Sequence, residues 1–179
     1  MSFLSKFLNR SDPREKLAPL YAAIVAAARQ PHWYIAGGVP DTREGRFDMV
    51  AALLSLTLLR LERAPEHAQD SAYLTEIFVE DMDGQLRQIG IGDMIVGKHI
   101  GRIMGALGGR LGAYRAALNG GDSWEAVVTR NIWGGVEPDP AMRDHVVRKF
   151  KDFVANLDAT TPDAIAAGKI PDTGAEAHP

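Results

Sequence analysis

Apolar residues recur at three- and four-residue intervals along almost the whole chain, and that spacing predicts helices. Leu17, Leu20, Tyr21, Ile24, Val25 and Ala28 keep the period in a segment that opens at Asp12-Pro13, with Glu15 as its capping-box acid, and runs to about Gln30. Pro19 either kinks this helix or marks its true beginning, and Pro31 ends it. Phe47 to Leu61 is apolar nearly all round, so it belongs at the centre of a bundle, with Asp41 or Thr42 as its cap. Leu61 to Gln69 is polar and holds Pro65, hence a linker. From about Asp70 to Ile89, Tyr73, Leu74, Ile77, Phe78, Met82 and Leu86 form another inward stripe that stops at Gly90. Asp93 then caps a helix that Gly120-Gly121 terminates. Asp122 with Glu125 opens a short helix through Trp124, Val127, Val128 and Ile132. Asp139-Pro140 starts the last long helix, with Met142, Val146, Val147, Phe150, Phe153, Val154 and Leu157 at helical spacing.

Between the first two helices, HWYIAGGVPDT reads as an ordered loop, because Gly37-Gly38 and Pro40 follow its aromatic residues closely. No strand pair and no internal repeat appears. The prediction is an all-α, single-domain helical bundle of about six to seven helices, with a central apolar helix and a flexible C-terminal tail. Residues 1–11 form a stub, 12–158 the helical domain, and 159–179 a largely disordered tail, apart from a turn of helix after Thr161-Pro162.

The helix after Asp93 carries three stripes. With Gly97 at zero, Ile100, Ile103, Met104, Leu107, Leu111, Tyr114 and Leu118 fall between about 240° and 340°, which is the core face. Gly97, Gly101, Gly105, Gly108, Gly109 and Gly112 fall between roughly 0° and 120°, beside Lys98, His99, Arg102 and Arg110. Each interior glycine costs about 0.8 to 1 kcal/mol relative to alanine, so close packing must offset roughly 5 kcal/mol. The expected partner is another helix of the same fold, crossing tightly. An external binding groove is the second reading.

Composition narrows the function by exclusion. The 179 residues can bury a sizeable core, the hydrophobic content of 46% is ordinary, and the formal charge of -3 favours no partner. Basic charge is local: Lys98, Arg102, Arg110 and Arg115 lie between Asp93 and Asp122 with no acid among them. No aromatic platform is interleaved with them, so no specific nucleic-acid partner is expected. There are no cysteines, which excludes disulfides and thiolate chemistry. Counting from Asp81, the glycine and glutamate of a calcium loop would fall on Leu86 and Gly92, so that pattern fails. The histidines are scattered, no serine stands in a nucleophile elbow, and Gly90, Gly92 and Gly97 miss the dinucleotide spacing. No catalytic residue, metal site or cofactor is therefore expected. The N-terminal MSFLSKFLNR lacks the apolar core of a signal peptide, and no run of 18 apolar residues occurs. A cytoplasmic protein is expected, with Phe3, Leu4, Phe7 and Leu8 as a short interfacial helix at most.

At GGVPDTREGRF, Gly37 to Phe47, and EDMDGQLRQIGIGDMIVGKHI, Glu80 to Ile100, the sequence resembles the ubiquinol-cytochrome c chaperone family. LYAAIVAAARQPHWY before the first block and GGRLGAYRAAL after the second extend the likeness over roughly Leu17 to Leu118. The resemblance implies a non-enzymatic assembly chaperone that holds newly made cytochrome b, a haem-bearing membrane protein, until it joins the ubiquinol-cytochrome c reductase (bc1) complex. It also implies a small partner protein, the ribosome, and peripheral contact at the cytoplasmic face of the inner membrane. The client- or partner-binding residues expected are Arg46, Asp81, Asp83 and Arg87, together with Gly97, Lys98, Gly101, Arg102 and Gly105 along the glycine stripe. Many other matching residues, such as Gly38, Val39, Pro40 and Thr42, read as fold determinants. Two alternatives stay open: a small-ligand or haem-binding helical protein, suggested by His99 and nearby methionines, and a homodimeric interaction module joined through the glycines.

Overall fold

A computed structural model describes residues 12–87 and 96–174; of residues 85–87 and 96–99 it describes the backbone alone. Its eight α-helices are α1 (Ala18–Ala28), α2 (Pro31–Ile35), α3 (Arg43–Leu61), α4 (Ala68–Arg87), α5 (Val96–Leu118), α6 (Trp124–Ile132), α7 (Pro140–Ala159) and α8 (Pro162–Ala166), and no strand occurs among the described residues. The bundle is all-α, as the periodicity predicts.

The apolar run of α3 makes it the axis of the bundle. Every residue from Met49 to Leu59 is buried, and α1, α5, α6 and α7 close around it. Ser55 and Thr57 fall inside that run. Their hydroxyls donate to the carbonyls of Ala51 (2.7 Å) and Leu53 (2.8 Å), which satisfies them without a side-chain partner. The start of α3 is set by Thr42, whose Oγ1 accepts from Gly45 N at 3.1 Å.

Four local differences from the sequence reading have physical causes. Pro19 sits in the first turn of α1 and marks its beginning, since a proline ring is tolerated there; only a single 3-10 turn, Glu15–Leu17, precedes it. HWYI is the one-turn helix α2 rather than a loop, because Pro31 presets the first turn and Trp33 is wholly buried. The Trp33 indole N–H donates to Ala27 O at 2.8 Å, and its ring meets Phe150 edge-on at 5.4 Å. Ser123, not Asp122, caps α6 by accepting from Ala126 N at 3.0 Å. Finally, the expected disordered tail is ordered as far as Gly174: α8 buries Ile165 completely, and the buried Thr173 donates its hydroxyl to Ala27 O at 3.3 Å. Residues 175–179, the Gly90 stop and the Asp93 cap lie outside the described residues.

Candidate functional site

The first block, Gly37 to Phe47, lies on the connection from α2 into α3, and the second begins on α4, about a quarter of the chain length further on. The fold brings the first block and the start of the second, Asp81 and Met82, to one cleft. Two features hold the connection in place. Gly38 adopts φ +59° beside the sulfur of Met142, where a side chain would meet both backbone strain and a clash. Gly45 lies so close to the carbonyl of Pro40 that a Cβ there would overlap it. Trp133 adds a hydrogen bond from its indole N–H to Gly38 O at 3.1 Å.

With the connection held this way, Asp41, Thr42, Arg43 and Arg46 face α4 across a cleft of about 390 Å³, whose opposite wall contains Asp81 and Met82. Val25, Phe47 and Val50 supply apolar surface, and Arg29 at the end of α1 closes one side. Arg46 Nε donates to Asp41 Oδ1 at 2.7 Å; their side chains are 53% and 59% exposed, so the pair is a surface one that contributes little to stability. The hydrogen bond from Arg46 holds the Asp41 carboxyl below its ordinary pKa. Asp81 Oδ2 accepts from the Tyr21 hydroxyl at 2.7 Å. Burial, and then this bond to a carboxylate, push the Tyr21 hydroxyl well above its usual pKa, so it remains a donor. No three carboxylate or imidazole groups among the described residues stand close enough to hold a metal ion.

The glycine stripe of α5 behaves differently from expectation. A Cβ built at Gly101, Gly105, Gly108, Gly109 or Gly112 would meet nothing within 4 Å among the described residues, so no described helix crosses there. None of the described helices therefore makes the expected internal crossing: among the described residues the face is open, and Arg102 is exposed beside it with Met104 at 45%. Arg110 leaves that face altogether. It pairs with Asp48, donates to Ala106 O at 3.1 Å and places its guanidinium 5.4 Å from the Phe47 ring centre, locking α5 to α3.

Of the predicted binding residues, Arg46 and Asp81 line the cleft. Asp83, two positions along α4, does not line it, while Gly101, Arg102 and Gly105 lie on the open face of α5. The side chains of Arg87 and Lys98, and the surroundings of Gly97, lie outside the described residues. Arg29, which lines the cleft, and Tyr21, which donates to Asp81, are not legible as site residues in the sequence, because their context is that of an ordinary amphipathic helix and only packing brings Arg29 to the cleft and Tyr21 to Asp81.

The model of the ubiquinol-cytochrome C chaperone family matches residues 36–173 of this chain, a span that contains both blocks. The chain belongs to that family. Among solved structures, the crystal structure of the Cbp3 homolog from Brucella abortus aligns with a TM-score of 0.77 at 33% identity, covering 94% of this chain and 95% of that one. A comparison with curated proteins gives no significant match. In this family member no described helix is long and apolar enough to cross a membrane.

Proposed function

We propose that this protein is a non-enzymatic assembly chaperone that binds newly made cytochrome b and releases it into the ubiquinol-cytochrome c reductase complex. Family membership supports a chaperone role in that assembly. The observation that supports a defined client site is the meeting of the first family block and the start of the second around one cleft, with Arg46 and Asp81 on facing walls. Charged groups held at a concave surface with apolar flanks suit a client that is apolar in most of its length and polar at a few positions.

The open glycine face of α5 is a second contact surface in this reading, serving a small partner protein, the ribosome or the bilayer edge through Gly101, Arg102, Gly105 and, before them, Gly97 and Lys98. Asp83 and Arg87 extend the client surface along α4. The protein acts in the cytoplasm, peripherally at the inner membrane.

The test is recovery of cytochrome b with a tagged chain from gently solubilised membranes. Arg46→Gln with Asp81→Asn should abolish that recovery while the circular dichroism spectrum stays that of the wild type; unchanged recovery would remove the cleft from the client site. Gly105→Leu should fold normally, because no described residue occupies the space its side chain enters, and should lose partners bound at α5. A homodimer through the same face is the alternative its exposure favours. Sedimentation equilibrium giving a monomer at every concentration would exclude it.

A further inference from the structure

The cleft beside Asp81 is one half of a longer feature. On the other side of the Asp41–Arg46 pair lies a second hollow of about 400 Å³, walled by Pro31, Tyr34 and Ile35 of α2 together with Arg29, Asp41 and Arg46. The two hollows share those last three residues, so they meet at a pair of guanidinium groups. Each hollow carries an apolar wall beside its charged groups: Val25 and Phe47, with the edges of Val50 and Met82, in the first, and Tyr34 and Ile35 in the second, where Ile35 is 78% exposed.

Charge at the junction is not balanced. Arg46 spends only its Nε on Asp41, leaving its two terminal nitrogens without a hydrogen bond among the described residues. Arg29 and Arg43 have no ion-pair partner among the described residues. A free guanidinium fork recognises a carboxylate in two-pronged fashion, and two such groups at one point leave a place for a single incoming acid. Asp41 and Asp81 stand beside them. Those carboxylates can accept hydrogen bonds from the backbone N–H groups of a peptide, which a phosphate headgroup does not offer.

Resting on the client-site reading above, we infer that the paired hollows form a recognition groove for one polypeptide segment of defined pattern: an apolar stretch, one aspartate or glutamate, and a second apolar stretch. The acid seats between Arg29 and Arg46, and the flanking apolar side chains enter the two hollows. The Asp41–Arg46 contact orients the fork in the empty groove and persists when the groove is filled.

Fluorescence anisotropy with two capped, labelled peptides tests this on the full chain: one carries a central glutamate between two leucine-containing turns, and the other carries glutamine at that position. The glutamate peptide should bind more tightly by about tenfold, the scale of one charge-assisted hydrogen-bonded contact. Arg29→Gln and Arg46→Gln should each reduce the preference and together erase it, with Tm unchanged because both side chains lie at the surface. Equal binding of the two peptides, binding of neither, or a preference that survives the double variant each overturns the inference. So does a double variant that loses binding to vesicles of phosphatidylcholine and phosphatidylglycerol while its peptide preference is intact. If peptide preference is absent yet Arg46→Gln with Asp81→Asn still loses cytochrome b, the groove specificity fails and the client site stands. If cytochrome b recovery is unaffected by that pair, both fall.

Discussion

A methyl group added at position 45 and one added at position 105 probe opposite uses of glycine. At Gly45 the methyl would overlap the Pro40 carbonyl, so Gly45→Ala should destabilise the protein by about 1–3 kcal/mol in urea denaturation. At Gly105 it enters open space inside a helix, and Gly105→Ala should stabilise by about 0.8–1 kcal/mol in the same experiment. Both are glycines in one sequence, and only their neighbours tell them apart. His32 shows a second property that burial decides. Its Nδ1 lies 3.1 Å from His145 Nε2. Burial first, then the charges of His145 and Lys149, lower its pKa from 6.5 to about 4, with Asp172 opposing; burial, Arg148 and Lys149 lower that of His145 too. The unfolded chain therefore binds protons that the folded one refuses, and stability present above pH 6.5 is lost as pH falls toward about 4. Tm should decline between pH 6.5 and 4.5, and His32→Leu should flatten that decline. An equal slope in the variant would assign the pH dependence to other groups.

Among the elements, α3 and α5 are joined by a contact that periodicity does not reveal. Arg110 stands within the basic arc of α5 and reads as a solvent-facing residue, yet it turns to Asp48 and the Phe47 ring and is largely buried. Burial raises the Asp48 pKa and the guanidinium pulls it back down, so each charge depends on the other. Arg110→Met leaves Asp48 half-buried without its cation and should cost about 2–3 kcal/mol by urea denaturation. Adding Asp48→Leu should recover most of that loss, since replacing both partners removes the stranded charge. Helix α2 makes the complementary point. Its five residues are too few to carry a period, so the chain around Trp33 looks like a loop until the indole finds its place against Ala27 and Phe150.

Across the whole molecule, the last described segment works as a strap. Arg60 donates to Leu157 O at 3.1 Å and Thr160 O at 2.9 Å, directing the chain out of α7 toward α8, where Ile165 is buried and the His67 imidazole lies 3.3 Å from Asp163. Truncation after Ala159 should lower stability by about 2–4 kcal/mol, mostly from exposing the site of Ile165; a Tm within 1 °C or so of the full chain would show that the strap is passive. Composition marks this segment as disordered, because Thr, Pro, Asp, Ala and Gly carry little apolar surface and two isoleucines, Ile165 and Ile170, are not a pattern. The amino-acid sequence by itself determined the all-α class, the central place of α3, most helix boundaries and the family, since these follow from local periodicity, capping residues and motifs read in order. Only the tertiary structure decided that Gly101, Gly105, Gly108, Gly109 and Gly112 of α5 face away from the other described helices, that Arg110 faces inward, and that Arg46, Asp81 and Arg29 meet at one cleft. Each of those facts depends on which surface of one helix lies against another, and contacts between residues far apart in the chain leave no mark on the spacing of either.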